Sequence, residues 1–357
     1  MIGANKSRTP FRLRFMALVS LMGAISIVVA ACGSSSSSSG SSPAGSQGAS
    51  SGSSLVLGFS SYPPTVPVIA EAVQGATAEA KSRHVQVKFG NAADAPSQQT
   101  AIDQLLGEGA NVLAIDPNDS TAITTSVKEA NSKKVPVIML VGKASGGNVT
   151  TFIGSDELRG GENVADYVAH ELNGNGQVAL INGDEVHQAF ILRERGFRTE
   201  LKKYPGVKIV AFGIGQQTAP PSEALARDML TAHPQLRVIV ALSDAMAAGV
   251  YQAAEALHKG SNVSVVGYNG DCPTLRSIWQ GQIKATVFQN WYGFGAEAVD
   301  AAIAAHSGKA LSANMIEPTI VIDRSVMQQV HAGTYSSKDP SLRASIDQAV
   351  NNQCPKA

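Results

Sequence analysis

Short apolar runs alternate with helix-like stretches along the chain from Leu55 onward. These runs do not alternate polar with apolar residues, which is typical of strands covered by helices on both faces. The first runs are LVLGFS at Leu55, VQVKF at Val85, NVLAID at Asn111 and VPVIMLV at Val135, with helix-like stretches over 66–83, 97–107 and 121–133. The pattern therefore predicts a parallel sheet built from strand, helix and strand units.

The same pattern starts again at TTFIGS, from Thr150, which precedes a helix predicted over 157–172. Four further apolar runs are each followed by a helical stretch: QVALIN at Gln177, VKIVAFG at Val207, RVIVAL at Arg237 and VSVVGY at Val263. KATVFQN at Lys284, a helix over 296–306 and IEPTIVID at Ile316 continue it. Two sets of such units predict an α/β protein with two Rossmann-like, doubly wound domains. The polar segment 334–357 is predicted to be a peripheral helix or tail.

The N-terminal residues have the layout of an export signal. Four basic residues precede an uncharged apolar stretch over 15–31 that ends in small residues, as secretory signals do. A permanent transmembrane helix is the alternative, but the stretch is at the lower limit of the roughly 17–25 residues that cross a bilayer. VAAC at 29–32 resembles the bacterial lipobox, so residues 1–31 are predicted to be a lipoprotein signal peptide and Cys32 the lipidated residue. The Ser/Gly-rich segment 32–54 is predicted to be a disordered tether.

The charge balance argues against a nucleic-acid partner. The full chain has 28 basic and 28 acidic residues, and residues 1–31 contain four basic and no acidic ones, which leaves 24 against 28 after their removal. A mildly acidic chain lacks the excess of Lys and Arg that binds phosphate backbones. The remaining cysteines, Cys272 and Cys354, either form a disulfide in an oxidising compartment or are two unrelated thiols, because the sequence does not give their separation.

Catalytic signatures are missing from the sequence after residue 54. It contains no Walker loop and no H-E-x-x-H, C-x-x-C or G-x-S-x-G motif, and its histidines lack metal-ligand spacing. GIGQQT at 213–218 lacks the third glycine of a dinucleotide-binding loop. The sequence therefore predicts no enzyme, no metal site and no cofactor.

Six stretches carry a resemblance to a known family: ANVLAIDPNDSTAI at Ala110, VPVI at Val135, RERGF at Arg193, LTAHPQLRVIVALSDAMAAG at Leu230, VVGYNG at Val265 and ATVFQN at Ala285. They resemble ribose-type periplasmic binding proteins, the type 1 solute-binding components of sugar ABC importers, over residues 55–330. The resemblance implies two lobes joined by three crossover strands, with a ligand held between the lobes at the carboxyl ends of the strands. The implied N-terminal lobe is 55–155 plus 290–317, the C-terminal lobe is 156–289 plus 318–333, and 334–357 is the tail.

The resemblance also implies polar ligand contacts. Arg193 matches the family arginine, whose planar group can donate two parallel hydrogen bonds to hydroxyls, or it is a solvated arginine at a helix start. Ser243 stands where an asparagine is usual, and Asp244 is either a ligand contact or a helix N-cap. Asn269 replaces the usual aspartate. Gln289 matches the family glutamine at a crossover, either as a ligand contact or as a hinge hydrogen bond.

One departure from the family pattern bears on the ligand's polar groups. Where ribose-like members have an Asp-Arg pair after VPVI, this chain has Val141 and Gly142. With Asn269 also in place of an aspartate, the cleft loses strong hydroxyl acceptors and leaves Arg193 less neutralised. The expected ligand is therefore not ribose; it is less hydroxylated or carries an acidic group.

A second departure lies in the first loop, FSSYPPTVP, which includes Ser61 and Tyr62 as candidate contacts. This loop lacks the asparagine and the paired phenylalanines that bind and stack on the sugar. Trp291 is the first candidate to restore stacking and Tyr62 the second, with Tyr268 also possible. Each of these aromatic residues is otherwise an ordinary core residue.

The predicted function is that of a monomeric, lipid-anchored solute-binding protein. It would capture a sugar or sugar-like molecule by closing its lobes, on the outer face of the cell membrane or in the periplasm, and deliver it to an ABC permease. The alternative is a ligand sensor for a chemoreceptor or sensor kinase. A repressor of the same fold is excluded, because the N-terminus holds an export signal where that class has a helix-turn-helix.

Overall fold

A computed structural model describes residues 54–337 and 339–354. The predicted signal peptide, the predicted lipidation site at Cys32 and the predicted tether as far as residue 53 lie outside the described residues. Within the described ranges, no helix is both long enough and apolar enough to cross a bilayer.

The fold is built from short strands that alternate with helices. In chain order the strands are β1 (Val56–Ser61), β2 (Gln86–Asn91), β3 (Val112–Ile115), β4 (Val137–Leu140), β5 (Thr151–Ser155), β6 (Asn175–Asn182), β7 (Gly206–Ile214), β8 (Leu236–Ala241), β9 (Ser264–Asn269), β10 (Ala285–Phe288), β11 (Asn314–Glu317) and β12 (Ile320–Asp323). The helices are α1 (Pro67–Arg83), α2 (Ala95–Gly107), α3 (Thr124–Ser132), α4 (Glu157–Glu171), α5 (Gln188–Leu201), α6 (Ala219–Ala232), α7 (Asp244–Ala256), α8 (Cys272–Gln280), α9 (Trp291–His306), α10 (Arg324–His331) and α11 (Pro340–Asp347). A π-helical segment follows over Gln348–Gln353.

The strands form two separate sheets. The first has the order β11-β5-β4-β3-β1-β2 and the second the order β12-β10-β9-β8-β6-β7. All pairings are parallel except the antiparallel pair of β10 and β12 at the edge of the second sheet. The central strands β3, β4 and β5 are buried along their whole length, as expected for strands with helices on both faces. The predicted fold class, two doubly wound α/β domains, is confirmed.

The chain crosses between the sheets three times. It leaves the first sheet after β5 and enters the second lobe through α4, which packs on α5. It returns after β10 through α9, which packs on α1, and crosses again between β11 and β12. Pro318 lies in this last crossing; without an N–H, proline suits the end of a strand. We call the half around the first sheet the first lobe and the half around the second sheet the second lobe.

Two glycines let α4 and α5 pack backbone against backbone. A Cβ on Gly161 would come 2.1 Å from the Arg193 carbonyl oxygen, and a Cβ on Gly196 would come 2.1 Å from the Leu158 carbonyl oxygen. Only glycine permits such an approach. The close packing fixes Arg193 on α5 relative to the start of α4, where Glu157 lies.

The C-terminal segment is tied to the second lobe and to a crossing point. Cys354 forms a disulfide with Cys272 at the start of α8, so the pairing that the sequence left open is formed. Ser345 on α11 accepts a hydrogen bond of 2.9 Å from the Asn290 side chain, directly before α9. The polar tail predicted over 334–357 thus includes a docked helix.

Candidate functional site

A cavity of about 340 Å³ lies between the two lobes at the carboxyl ends of the central strands. This is the position at which open α/β sheets bind ligands. Both lobes contribute to its lining. The first lobe contributes Tyr62, Asp116 and Val141, and Trp291 lies at a crossing. The second lobe contributes His187, Phe190, Arg193, Ser243, Asn269 and Asp271. Its wall is mostly apolar, with a small number of polar groups, as in other small-molecule sites.

Arg193 lines this cavity, but most of its hydrogen-bonding capacity is used inside the protein. It is 2% exposed. Its Nε and Nη2 donate to the two carboxylate oxygens of Glu157 at 2.8 and 3.1 Å, Nη2 also donates to Gln289 Oε1, and Nη1 donates to the Leu242 carbonyl oxygen. These four bonds leave one of five guanidinium hydrogens, on Nη1, for a ligand.

Glu157 corrects one expectation from the sequence. The expectation that Arg193 is left less neutralised is wrong, because Glu157 forms a buried bidentate ion pair with it. Glu157 also accepts from the Tyr268 hydroxyl at 2.9 Å, and the Tyr268 ring lies 4.0 Å below the guanidinium carbon of Arg193. Tyr268 therefore supports Arg193 and does not line the cavity.

Gln289 and Asn269 continue this network toward the crossing that follows β10. Gln289 Oε1 accepts from Arg193 and from Asn269 Nδ2, both at 3.0 Å, and its Nε2 donates to Glu157 at 2.9 Å. Gln289 is 1% exposed and lies outside the cavity lining. Of its two predicted roles, its position fits the hinge hydrogen bond. Asn269 lines the cavity.

Ser243 and Asp244, at the start of α7, have different roles. Ser243 lines the cavity and is the N-cap, accepting from the Met246 N–H. Asp244 has neither predicted role, because its carboxylate accepts from the backbone N–H groups of Gly270 and Asp271 and from the Thr286 hydroxyl. Burial raises the pKa of Asp244 well above its ordinary value. Its side chain fixes the loop between β9 and α8.

The first loop places one of its two candidates at the cavity. Tyr62 lines it and accepts a hydrogen bond of 3.2 Å from Gln217 Nε2 of the second lobe. Ser61 does not line it, because its hydroxyl donates to the Tyr62 carbonyl oxygen at 3.1 Å or to Asn91 at 3.3 Å. Trp291 lines the cavity, and its buried indole Nε1 has no hydrogen-bond partner among the described residues.

Among the cavity residues that sequence reasoning missed are Asp116 and His187. Asp116 follows β3 at the carboxyl end of a buried strand, and this position is the signal that could have identified it. Burial raises its pKa, and its Oδ1 has no hydrogen-bond partner among the described residues. His187 Nε2 lies 3.6 Å from that atom, across the space between the lobes.

Several further contacts hold the lobes together around the cavity. The Ser120 N–H donates to the Val186 carbonyl oxygen at 3.2 Å, and the Gln188 N–H donates to the Ser120 hydroxyl at 3.0 Å. On the opposite side, the Cys272 N–H donates to Glu71 at 3.1 Å, and burial raises the pKa of Glu71 to about 7. Direct hydrogen bonds therefore join the two lobes around the cavity.

Two α/β lobes, three crossings and a mostly apolar cavity with a few polar groups between the lobes define the class of two-lobed solute-binding proteins. Residues 57–310 match the family described as periplasmic binding protein domain, so the chain belongs to this family, as predicted. The ribose import binding protein RbsB of Bacillus subtilis (strain 168) is 29% identical over 265 residues, which are 74% of this chain and 86% of that protein.

Solved structures share the fold. An ABC transporter solute-binding protein from Bacillus halodurans C-125 with bound myo-inositol has a TM-score of 0.74 at 23% identity, covering 80% of this chain and 100% of that one. One from Mycobacterium smegmatis with bound glycerol has a TM-score of 0.73 at 25% identity, covering 80% and 98%. The fructose-binding periplasmic domain of the hybrid two-component system BT1754 has a TM-score of 0.74 at 22% identity, covering 84% and 99%.

Proposed function

We propose that this protein is an extracytoplasmic solute-binding protein that captures a sugar or sugar-like molecule between its lobes and delivers it to an ABC importer. The observation that carries the proposal is the cavity lined by both lobes, whose wall combines aromatic side chains with hydrogen-bonding groups. Relatives named for ribose, allose and xylitol binding support it.

Binding requires no covalent chemistry. The proposed ligand contacts among the predicted residues are Arg193 through its remaining Nη1 hydrogen, Ser243, Asn269, Trp291 and Tyr62. Gln289 would act indirectly, by holding Arg193 and Asn269 at the crossing. Hydrogen bonds to groups that would otherwise stay buried and unpaired provide both affinity and specificity.

A lipid on Cys32 would keep the protein near its permease. The lipobox-like VAAC at 29–32 and the Ser/Gly-rich tether support this part of the proposal, since one lipidated cysteine on a flexible segment retains a protein at a membrane surface. A monomer suffices, because each chain has both walls of the cavity. Export would place the protein on the outer face of the cell membrane or in the periplasm.

Calorimetric titration of the purified protein with D-ribose, D-allose, D-fructose, xylitol, myo-inositol and glycerol tests the proposal. One solute is expected to bind, and cells that lack the protein should lose its uptake. Trp291→Phe keeps an aromatic ring but removes the unpaired Nε1–H, so it should weaken binding by about fivefold, the value of one net hydrogen bond. Trp279→Phe is the matched control, since Trp279 lies outside the cavity lining. Equal effects of the two substitutions would contradict the assigned site.

A further inference from the structure

Asp116 lines the cavity from the first lobe and has a buried carboxylate oxygen without a hydrogen-bond partner in the described part of the chain. Asp116 is 3% exposed, and its Oδ1 has no partner among the described residues. Its backbone is held on both sides, since its N–H donates to the Ser60 carbonyl oxygen at 2.9 Å and its carbonyl oxygen accepts from Gln98 at 2.8 Å. A buried acceptor without a partner costs free energy, and a ligand is the natural partner for an acceptor on a cavity wall.

A donor faces this oxygen from the second lobe. His187 Nδ1 accepts from the Ala189 N–H at 3.1 Å, as the N-cap of α5, so the ring proton of the neutral imidazole is on Nε2. Nε2 lies 3.6 Å from Asp116 Oδ1, which is longer than a hydrogen bond. An acceptor and a donor therefore stand side by side on opposite lobes, slightly beyond hydrogen-bond distance.

Gly142, where the chain departs from the family pattern, has no side chain that would compete with His187 for space. A Cβ on Gly142 would lie 2.9 Å from His187 Cε1 and 2.9 Å from Pro117 Cγ. A larger residue there, such as the arginine of ribose-like members, would compete with the imidazole for the same space. The absence of the Asp-Arg pair at Val141 and Gly142 thus leaves room for a different polar pair beside it.

The charged residues of the cavity wall indicate which charge the ligand has. Arg193 is paired with Glu157, and the acidic residues that line the cavity are Asp116 and Asp271. A carboxylate on the ligand would face these acids without a free cation among the described lining residues, contrary to the acidic group considered from the sequence. An ammonium group would leave the donors of His187 and Trp291 without an acceptor. A hydroxyl both donates and accepts, so it satisfies the pair.

We propose that Asp116 and His187 bind one hydroxyl group of an uncharged sugar or polyol between the lobes, and so select neutral polyhydroxylated ligands over acidic and amine-bearing ones. The hydroxyl donates to Asp116 Oδ1 and accepts from His187 Nε2–H. This inference rests on the proposed function, and it assigns two specificity-determining residues to the same cavity.

The first test compares neutral and charged probes on the unaltered protein by calorimetry. The neutral set is D-allose, D-fructose, D-glucose, xylitol and myo-inositol, and the charged set is D-glucuronate, D-gluconate and D-glucosamine. The tightest binder is expected to be neutral. A charged probe that binds most tightly would overturn this inference and leave solute capture intact, whereas binding of no probe would overturn both.

The second test uses variants with the tightest neutral probe. Asp116→Asn should weaken binding by about 10- to 100-fold, because a charge-assisted hydrogen bond becomes a neutral one without a fixed orientation. His187→Asn keeps a residue that can cap α5 but cannot reach the hydroxyl, and should weaken binding by about fivefold. Asp103→Asn is the matched control, since it removes the same charge from an exposed position on the first lobe. Affinities of both cavity variants within twofold of this control would refute the assignment.

A third measurement separates recognition from folding. Monodeoxy analogues of the same probe are titrated against the unaltered protein and Asp116→Asn. One deoxy position should weaken binding to the unaltered protein by about 10-fold or more and have little effect on the variant, since the two changes remove one shared contact. Equal losses with both proteins would contradict the contact. If the variant does not fold, the unaltered protein alone tests the contact. In that case, the proposed contact is contradicted if none of the monodeoxy analogues binds about 10-fold more weakly than the parent probe.

Discussion

The buried ion pair between Glu157 and Arg193 gives the sharpest stability prediction. Both side chains are 2% exposed. Glu157 Oε1 accepts from Arg193 Nη2 and Gln289 Nε2, and its Oε2 accepts from Arg193 Nε and the Tyr268 hydroxyl. In Glu157→Gln, one oxygen becomes an NH₂ group, so two of these donors face another donor in either orientation of the amide. Arg193 also keeps its charge without a counterion.

The expected loss follows from what remains buried. Removing one partner of a buried ion pair costs about 3–5 kcal/mol in the free energy of unfolding. Glu162→Gln is the matched control on the same helix, because Glu162 pairs with Arg159, which is 56% exposed. Such a surface pair contributes about 0–1 kcal/mol. The two substitutions make the same chemical change five residues apart. The difference between their losses in free energy of unfolding therefore measures the effect of burying the ion pair.

Urea unfolding, followed by circular dichroism, measures both variants against the unaltered protein. We expect Glu157→Gln to lower the free energy of unfolding of the second lobe by at least about 3 kcal/mol more than Glu162→Gln does. If the lobes unfold in separate transitions, the loss should appear in the transition of the second lobe. A loss within about 1 kcal/mol of the control would refute the argument that Glu157 is the counterion on which Arg193 depends.

Two further predictions concern the disulfide and the pH dependence. Replacing both Cys272 and Cys354 with serine should lower the free energy of unfolding by about 4 kcal/mol, since the disulfide closes a loop with a sequence separation of 82 residues. Reduction of the unaltered protein should give a similar loss in the same urea assay. An unchanged urea midpoint would contradict this stabilising role of the disulfide. Burial raises the pKa of Glu71 to about 7 from an ordinary 4.5. Between these two values, the folded state retains a proton that the unfolded state releases. The resulting stabilisation is complete below pH 4.5 and is lost as the pH rises through 7. Between pH 5 and pH 8, the unaltered protein should therefore lose up to about 3 kcal/mol more than Glu71→Gln, and parallel pH profiles of the two would exclude this role.

Most of the fold could be predicted from the sequence because strand and helix patterns are local. The helix expected over 66–83 is α1, Pro67–Arg83. The helix expected over 296–306 begins earlier, at Trp291, because the Asn290 side chain accepts from the Gly293 N–H and caps it there. IEPTIVID divides at Pro318 into two short strands in different sheets, and only the tertiary pairing decides that division.

The site was less predictable, because each side chain has several possible partners. RERGF identified Arg193, but nothing near it in sequence indicates Glu157, which lies 36 residues away. Asp244 looked like a cap or a ligand contact, and only the three-dimensional loop gave its carboxylate the N–H groups of Gly270 and Asp271. A motif can identify a residue at a strand end, but burial and neighbours decide whether its polar atoms remain free for a ligand.

The two walls of the cavity differ in how far their polar groups are already satisfied. On the second lobe, Arg193 is held by Glu157 and Gln289 in a network that needs no ligand. On the first lobe, Asp116 has a buried oxygen without a partner among the described residues, and His187 Nε2, 3.6 Å from it, belongs to the opposite lobe. A hydroxyl placed between them would be satisfied only when the lobes are closed. The proposed contact would therefore add to affinity and stabilise the closed form with the same hydrogen bonds, which couples recognition to closure.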